Sequence, residues 1–88
     1  MKKKIQSIIR DEISKGCIFD THSIIEYMIQ NFSDDYLSSY RTGSTEYYHS
    51  EISKTIAAFE GSILERVGKC WSRNIHKNFT ENVCWRKL

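Results

Sequence analysis

Residues 67–87 read VGKCWSRNIHKNFTENVCWRK, and this stretch decides the fold. Two runs carrying β-branched and aromatic residues, Val67 to Ile75 and Phe79 to Trp85, flank a polar centre, His76-Lys77-Asn78, with Asn74 just before it. Such residues suit a pleated, half-buried surface, and a short polar centre between two of these runs signals a β-hairpin. Side chains alternate across a strand, so Val67, Lys69, Trp71 and Arg73 share one face while Cys70 and Ser72 share the other. The hairpin is basic and aromatic together: Lys69, Trp71, Arg73, Lys77, Trp85, Arg86 and Lys87 against one acid, Glu81. Cations beside an indole suit a polyanion, where charge is neutralised and the ring packs. The same composition also describes an ordinary sheet whose tryptophans complete a small core while the lysines stay in water.

Charge outside the hairpin sharpens the question. The net charge of +2 hides an uneven distribution: +4 over residues 1–10, −7 over residues 11–65 and +5 over residues 66–88. A chain that is basic at both ends invites a polyanion at one face if those ends meet in space. Eighty-eight residues make one domain, spanning 1–88, with no room for a second core. The three cysteines, Cys17, Cys70 and Cys84, show no C-x-x-C spacing, which argues against a disulfide framework and fits a reducing cytoplasm. The opening MKKK is followed by Gln6, Ser7, Arg10, Asp11 and Glu12, so neither a secretory signal nor a membrane span is expected.

Ahead of the hairpin, apolar residues recur at helical spacing. Ile5, Ile8, Ile9 and Ile13 predict a helix from about Lys2 to Ser14, stopped by Gly16. Cys17-Ile18-Phe19 predicts a short strand, and Asp20 an N-cap for a helix from Thr21 to about Asn31 that buries Ile24, Ile25, Met28, Ile29 and Phe32. Ser33-Asp34-Asp35 reads as a further start signal for a short segment, Tyr36 to Arg41, ending in a Thr42-Gly43-Ser44 turn. Ser44 or Thr45 then caps a helix from Glu46 to Phe59, with Tyr48, Ile52, Ile56 and Phe59 along one side and Gly61 at its end.

The expected class is α+β, with three main helices, a strand near 17–19 and a C-terminal two-stranded hairpin. In this order the chain resembles the winged helix-turn-helix superfamily: helix, strand, helix, helix, strand, wing, strand. The resemblance rests on element order over nearly the whole chain and on no sequence motif. It implies a recognition helix at Glu46 to Phe59, a wing at Asn74 to Thr80, and binding of double-stranded DNA. Two departures stand out. The link from Phe32 to Thr45 exceeds a tight turn, and the implied recognition helix holds Glu46 and Glu51 against only Lys54. An acidic reading helix is unfavourable beside phosphates, which shifts the expected contact towards the wing and the amino terminus.

The candidate nucleic-acid contacts are therefore Lys2, Lys3 and Lys4; Tyr47, His49, Ser50, Ser53 and Lys54; and Arg73, Lys77, Arg86 and Lys87. A module of this size offers little contact area, so a homodimer over neighbouring half-sites is expected, with transcription control as the usual use of such a fold. The rival reading is a protein-interaction module, an adaptor or inhibitor, that docks through an acidic, tyrosine-bearing surface of Tyr36, Tyr40, Glu46, Tyr47 and Glu51. Enzymatic function finds no support: His22 has no nucleophile signature beside it, there is no glycine-rich phosphate loop, and the acidic pairs fall where helices carry solvated charge. No metal site or cofactor is expected; strand cysteines usually act as small buried hydrophobes.

Overall fold

Asp20 shows how local chemistry starts an element: its carboxylate accepts from the Ser23 backbone N–H at 2.8 Å and opens a helix directly after a strand. The computed structural model describes residues 1–40 and 44–88, so the expected Thr42-Gly43 turn and Arg41 lie outside the described residues. The elements are α1 (Lys2–Glu12), β1 (Ile18–Asp20), α2 (Thr21–Asn31), α3 (Ser33–Ser39), α4 (Thr45–Ala57), β2 (Leu64–Arg73) and β3 (Phe79–Lys87). The three strands form one antiparallel sheet in the order β1-β3-β2. The class is thus a small α+β domain, with four helices among the described residues where three main ones were expected.

Each helix buries the stripe that its spacing implied. Ile5, Ile8 and Ile9 of α1, Ile24, Ile25 and Met28 of α2, and Tyr48, Ile52 and Ile56 of α4 join Phe19, Leu64 and Trp85 of the sheet in one core. Ile29 and Phe32 are only partly buried, at the margin of that core. Trp85 is fully buried; its indole N–H donates to Glu60 Oε2 at 2.8 Å and its ring lies 5.9 Å from that of Phe19. The donor is thereby satisfied at the rim while the ring fills the centre.

Several boundaries differ from expectation. α1 stops at Glu12, two residues early, because Ile13 turns extended and the ammonium of Lys87 takes the last carbonyls: Nζ donates to Ile9 O and Arg10 O at 2.8 Å and to Ile13 O at 3.0 Å. A cation there satisfies orphan acceptors and opposes the negative helix end. Gly16, at φ +88°, carries the turn after the helix end, and its N–H donates to Lys87 O at 2.7 Å. β1 lies one residue later than expected. α3 begins at Ser33 itself, with Asp34 and Asp35 in its first turn and no side-chain cap; α4 starts under a cap from Ser44, which accepts from Tyr47 N at 3.0 Å. β2 begins at Leu64, and a bulge places Val67 as an extra residue between the Arg66–Trp85 and Gly68–Cys84 pairs.

Candidate nucleic-acid interface

The hairpin turn is built by Asn74. Its side-chain oxygen accepts from His76 N at 2.9 Å and Asn78 N at 3.1 Å, and its backbone N–H and carbonyl bond Asn78 O and Lys77 N, each at 2.9 Å. Closing this loop puts Lys77 at φ 66°, in the left-handed region. A residue with a Cβ there costs about 1 kcal/mol or more relative to glycine. Lys77→Gly should accordingly raise Tm by roughly 4–8 °C in a melt followed by circular dichroism.

The two faces of the hairpin differ sharply. Cys70, Ser72, Thr80, Asn82 and Cys84 form a polar strip that docks on the start of α2. Asn82 is its hub: Oδ1 accepts from His22 N at 3.1 Å, and Nδ2 donates to Cys70 O and Ser72 Oγ at 3.3 Å and to Asp20 Oδ2 at 3.5 Å. His22 completes the joint, with Nδ1 2.6 Å from Ser72 Oγ and Nε2 3.4 Å from Thr80 Oγ1. His22 thus ties the start of α2 to both strands of the hairpin. Burial alone would raise the Asp20 carboxyl, but hydrogen bonds from Ser23, Ser72 and Cys70 outweigh it and hold the group below its ordinary range. Cys70, half-buried beside that anion and near Cys84, is pushed up to about 12 and stays a thiol at neutral pH. Cys17 is exposed, and among the described residues no group of three or more His, Cys, Asp or Glu is placed to hold a metal.

The opposite face carries Lys69, Trp71 and Arg73, paired with Val83, Glu81 and Phe79 respectively. Trp71 and Phe79 are each 69 % exposed. Lys69 meets Glu81 at 3.4 Å.

Beside the hairpin runs an open cleft of about 450 Å³. β1 pairs with β3 only at Cys84, Trp85 and Arg86, so residues 80–83 of β3 border this cleft, facing Thr21 and His22 of α2 and Glu46, His49, Ser50 and Ser53 of α4. Three of the five candidate contacts on α4 thus converge on one wall. His49 is half-buried there, with Nε2 2.7 Å from the Tyr36 hydroxyl. Burial pushes this imidazole below its ordinary value of 6.5, repulsion from His76 and His22 adds to the effect, and Glu46 opposes it. The unfolded chain therefore binds more protons than the folded one as pH drops below about 6.5, and stability falls from that point downwards. Tm should decline between pH 7 and 5, and His49→Gln should flatten that part of the profile.

The remaining candidates are dispersed. Tyr47 is 64 % exposed and borders a second depression with Met1, Ser39 and Glu51. Lys54 pairs with Glu51 at 3.4 Å and Arg86 with Glu65 at 2.7 Å, so a phosphate would have to displace an acid from each. Lys2 lies over the Phe59 ring at 5.7 Å and Lys4 over the Phe32 ring at 4.3 Å, also 3.9 Å from Asp35, while Lys3 is exposed. Lys87 is not a surface cation at all: it is buried against the end of α1 and unavailable to phosphate. Arg73 and Lys77 make no ion pair among the described residues; they border a depression with Glu26, Ile29 and Gln30 of α2.

The tyrosine surface is also taken apart. Tyr36 is buried, its ring 5.1 Å from Tyr48, whose hydroxyl donates to Tyr36 O at 2.5 Å, and Tyr40 packs edge-on to Tyr48 at 4.9 Å. Tyr40 is half-buried, Glu46 lies on the cleft, and Tyr47 and Glu51 lie on the second depression.

Among the described residues no helix is long and apolar enough to cross a membrane. No family model matches this chain, and no curated protein or solved structure resembles it at a significant level.

Proposed function

We propose that this chain is a small duplex-DNA-binding domain of winged-helix type, a transcriptional regulator that acts as a homodimer, with the hairpin as its leading contact. The observation that carries the reading is the hairpin tip. Arg73 and Lys77 make no ion pair there among the described residues, although Glu26 borders the same depression, and Lys77 occupies a left-handed position where glycine would be less strained. A costly backbone conformation kept for a charged side chain fits a contact residue better than a spacer.

The order of elements supports the same reading, since it follows the winged-helix order with one short helix, α3, added between the second helix and the implied recognition helix. α4 lies across the cleft from β3 and offers Ser50, Ser53 and His49 as neutral donors. Its own charged residues, Glu46, Glu51 and Lys54, sum to an acid, so α4 positions the domain beside a groove while the hairpin supplies the electrostatic attraction. Arg86 and Lys54 contribute less than their charge implies, because each is already neutralised by a neighbour.

The exposed Tyr47 beside Glu51 favours a second reading, a protein partner seated on the outer side of α4. Amide shifts of labelled protein on adding a random duplex separate the two. DNA binding predicts shifts concentrated at residues 69–81 and 46–54. An unchanged spectrum at low salt would sink the DNA reading and leave the outer side of α4 as the surface to test against proteins.

A further inference from the structure

The hairpin leaves two large rings in water that the fold does not use. Trp71 and Phe79 are each 69 % exposed, and neither makes an aromatic or cation–π contact among the described residues. They share one face of the antiparallel pair: Trp71 is opposite Glu81, Arg73 is opposite Phe79, so the rings are diagonal neighbours. Such diagonals span about 7–8 Å, about twice the 3.4 Å rise per nucleotide of one DNA strand. Glu81, opposite Trp71, is held by Lys69 at 3.4 Å, and Arg73, opposite Phe79, makes no ion pair among the described residues. The sequence departs here from a simple electrostatic wing, which has no need of an indole.

We infer that the Trp71–Phe79 face of the hairpin is a stacking platform for an unpaired nucleobase, so that the preferred ligand is DNA with a single-stranded overhang or junction and not a continuous duplex. The base lies on the Trp71 ring with Phe79 beside it, and Arg73 and Lys77 take the flanking phosphates. A π-face is common to all four bases, so stacking gives a preference for unpaired structure without sequence readout. This inference rests on the DNA-binding reading and names the form of DNA it selects.

The two tryptophans supply the test. Trp85 is fully buried and Trp71 largely exposed, so quenching of emission by DNA reports on Trp71. Binding of a blunt duplex and of the same duplex with a short oligo-dT overhang should be compared by anisotropy and by tryptophan emission. The expected result is about tenfold tighter binding of the overhang substrate, with quenching that the blunt duplex does not produce. Trp71→Ala should abolish both the preference and the quenching, and Trp71→Phe should keep most of the preference. Equal affinity for the two substrates, or a preference that survives Trp71→Ala combined with Phe79→Ala, overturns the platform and leaves duplex binding standing. Failure of both substrates to bind removes both readings. Self-association of the free protein that depends on Trp71, seen by sedimentation, would assign the rings to a second copy and likewise overturn it.

Discussion

Lys87→Met is expected to lower stability by about 3 kcal/mol, because it removes a buried ammonium that serves three backbone carbonyls and leaves those acceptors unpaired at a helix end. For a domain of this size that corresponds to a fall in Tm of roughly 12–24 °C. Lys3→Met, which removes an exposed lysine from the same helix, should stay within about 0.5 kcal/mol of the parent. Below its melting point the Lys87 variant should bind DNA as the parent does. Such a split, large in stability and null in affinity, identifies a lysine that anchors α1 to β3. A variant that melts like the parent but binds DNA weakly would restore Lys87 to the surface and contradict the packing.

Trp85→Ala should be still more damaging. Its ring is fully buried, packs on Phe19, and carries the hydrogen bond to Glu60. Deleting a buried aromatic of this kind costs about 3–5 kcal/mol, comparable with the whole stability expected of a small domain. The variant should be largely unfolded at room temperature, read as loss of amide dispersion and of far-ultraviolet ellipticity. Glu60 adds an internal check. The Trp85 N–H, followed by Arg66, holds its carboxyl below the ordinary range, although burial opposes them. Trp71→Ala, by contrast, removes an exposed ring and should shift stability by no more than about 0.5 kcal/mol. The two tryptophans, alike in the sequence, therefore separate by effect: one holds the fold and the other is free to meet a ligand.

Much of this arrangement is legible in residue spacing alone. The isoleucines locate α1, α2 and α4, because a stripe at 3.6-residue period has only one face to bury. Asn74 and the polar centre after it place the hairpin turn, and alternation correctly sorts Lys69, Trp71 and Arg73 from Cys70 and Ser72. Lys87 shows where such reading stops. It follows Arg86 as a second base near the chain end, yet adjacent strand residues point to opposite faces, so Arg86 meets Glu65 in solvent while Lys87 enters the core margin. Only the pairing of β3 with β2 and its position beside α1 decide which of the two is buried. His22 and Asn82 are similar: they are sixty residues apart in sequence, and no local pattern signals that they meet. The tyrosines are similar: Tyr36 is buried against Tyr48 and Tyr40 half-buried against it, contacts that no local pattern signals.

Hairpin-led docking stands or falls on Arg73 and Lys77, the proposed phosphate-binding pair at the tip. The deciding experiment is a titration of labelled duplex between about 50 and 200 mM salt, for the parent and for Arg73→Ala combined with Lys77→Ala. Removing one cation that neutralises a phosphate lowers the slope of log affinity against log salt by about one. The parent should bind with a steep negative slope, and the double variant should bind more weakly with a slope shallower by about two. Parallel slopes of equal affinity, or no binding by the parent at the lowest salt, would contradict docking of the hairpin on DNA.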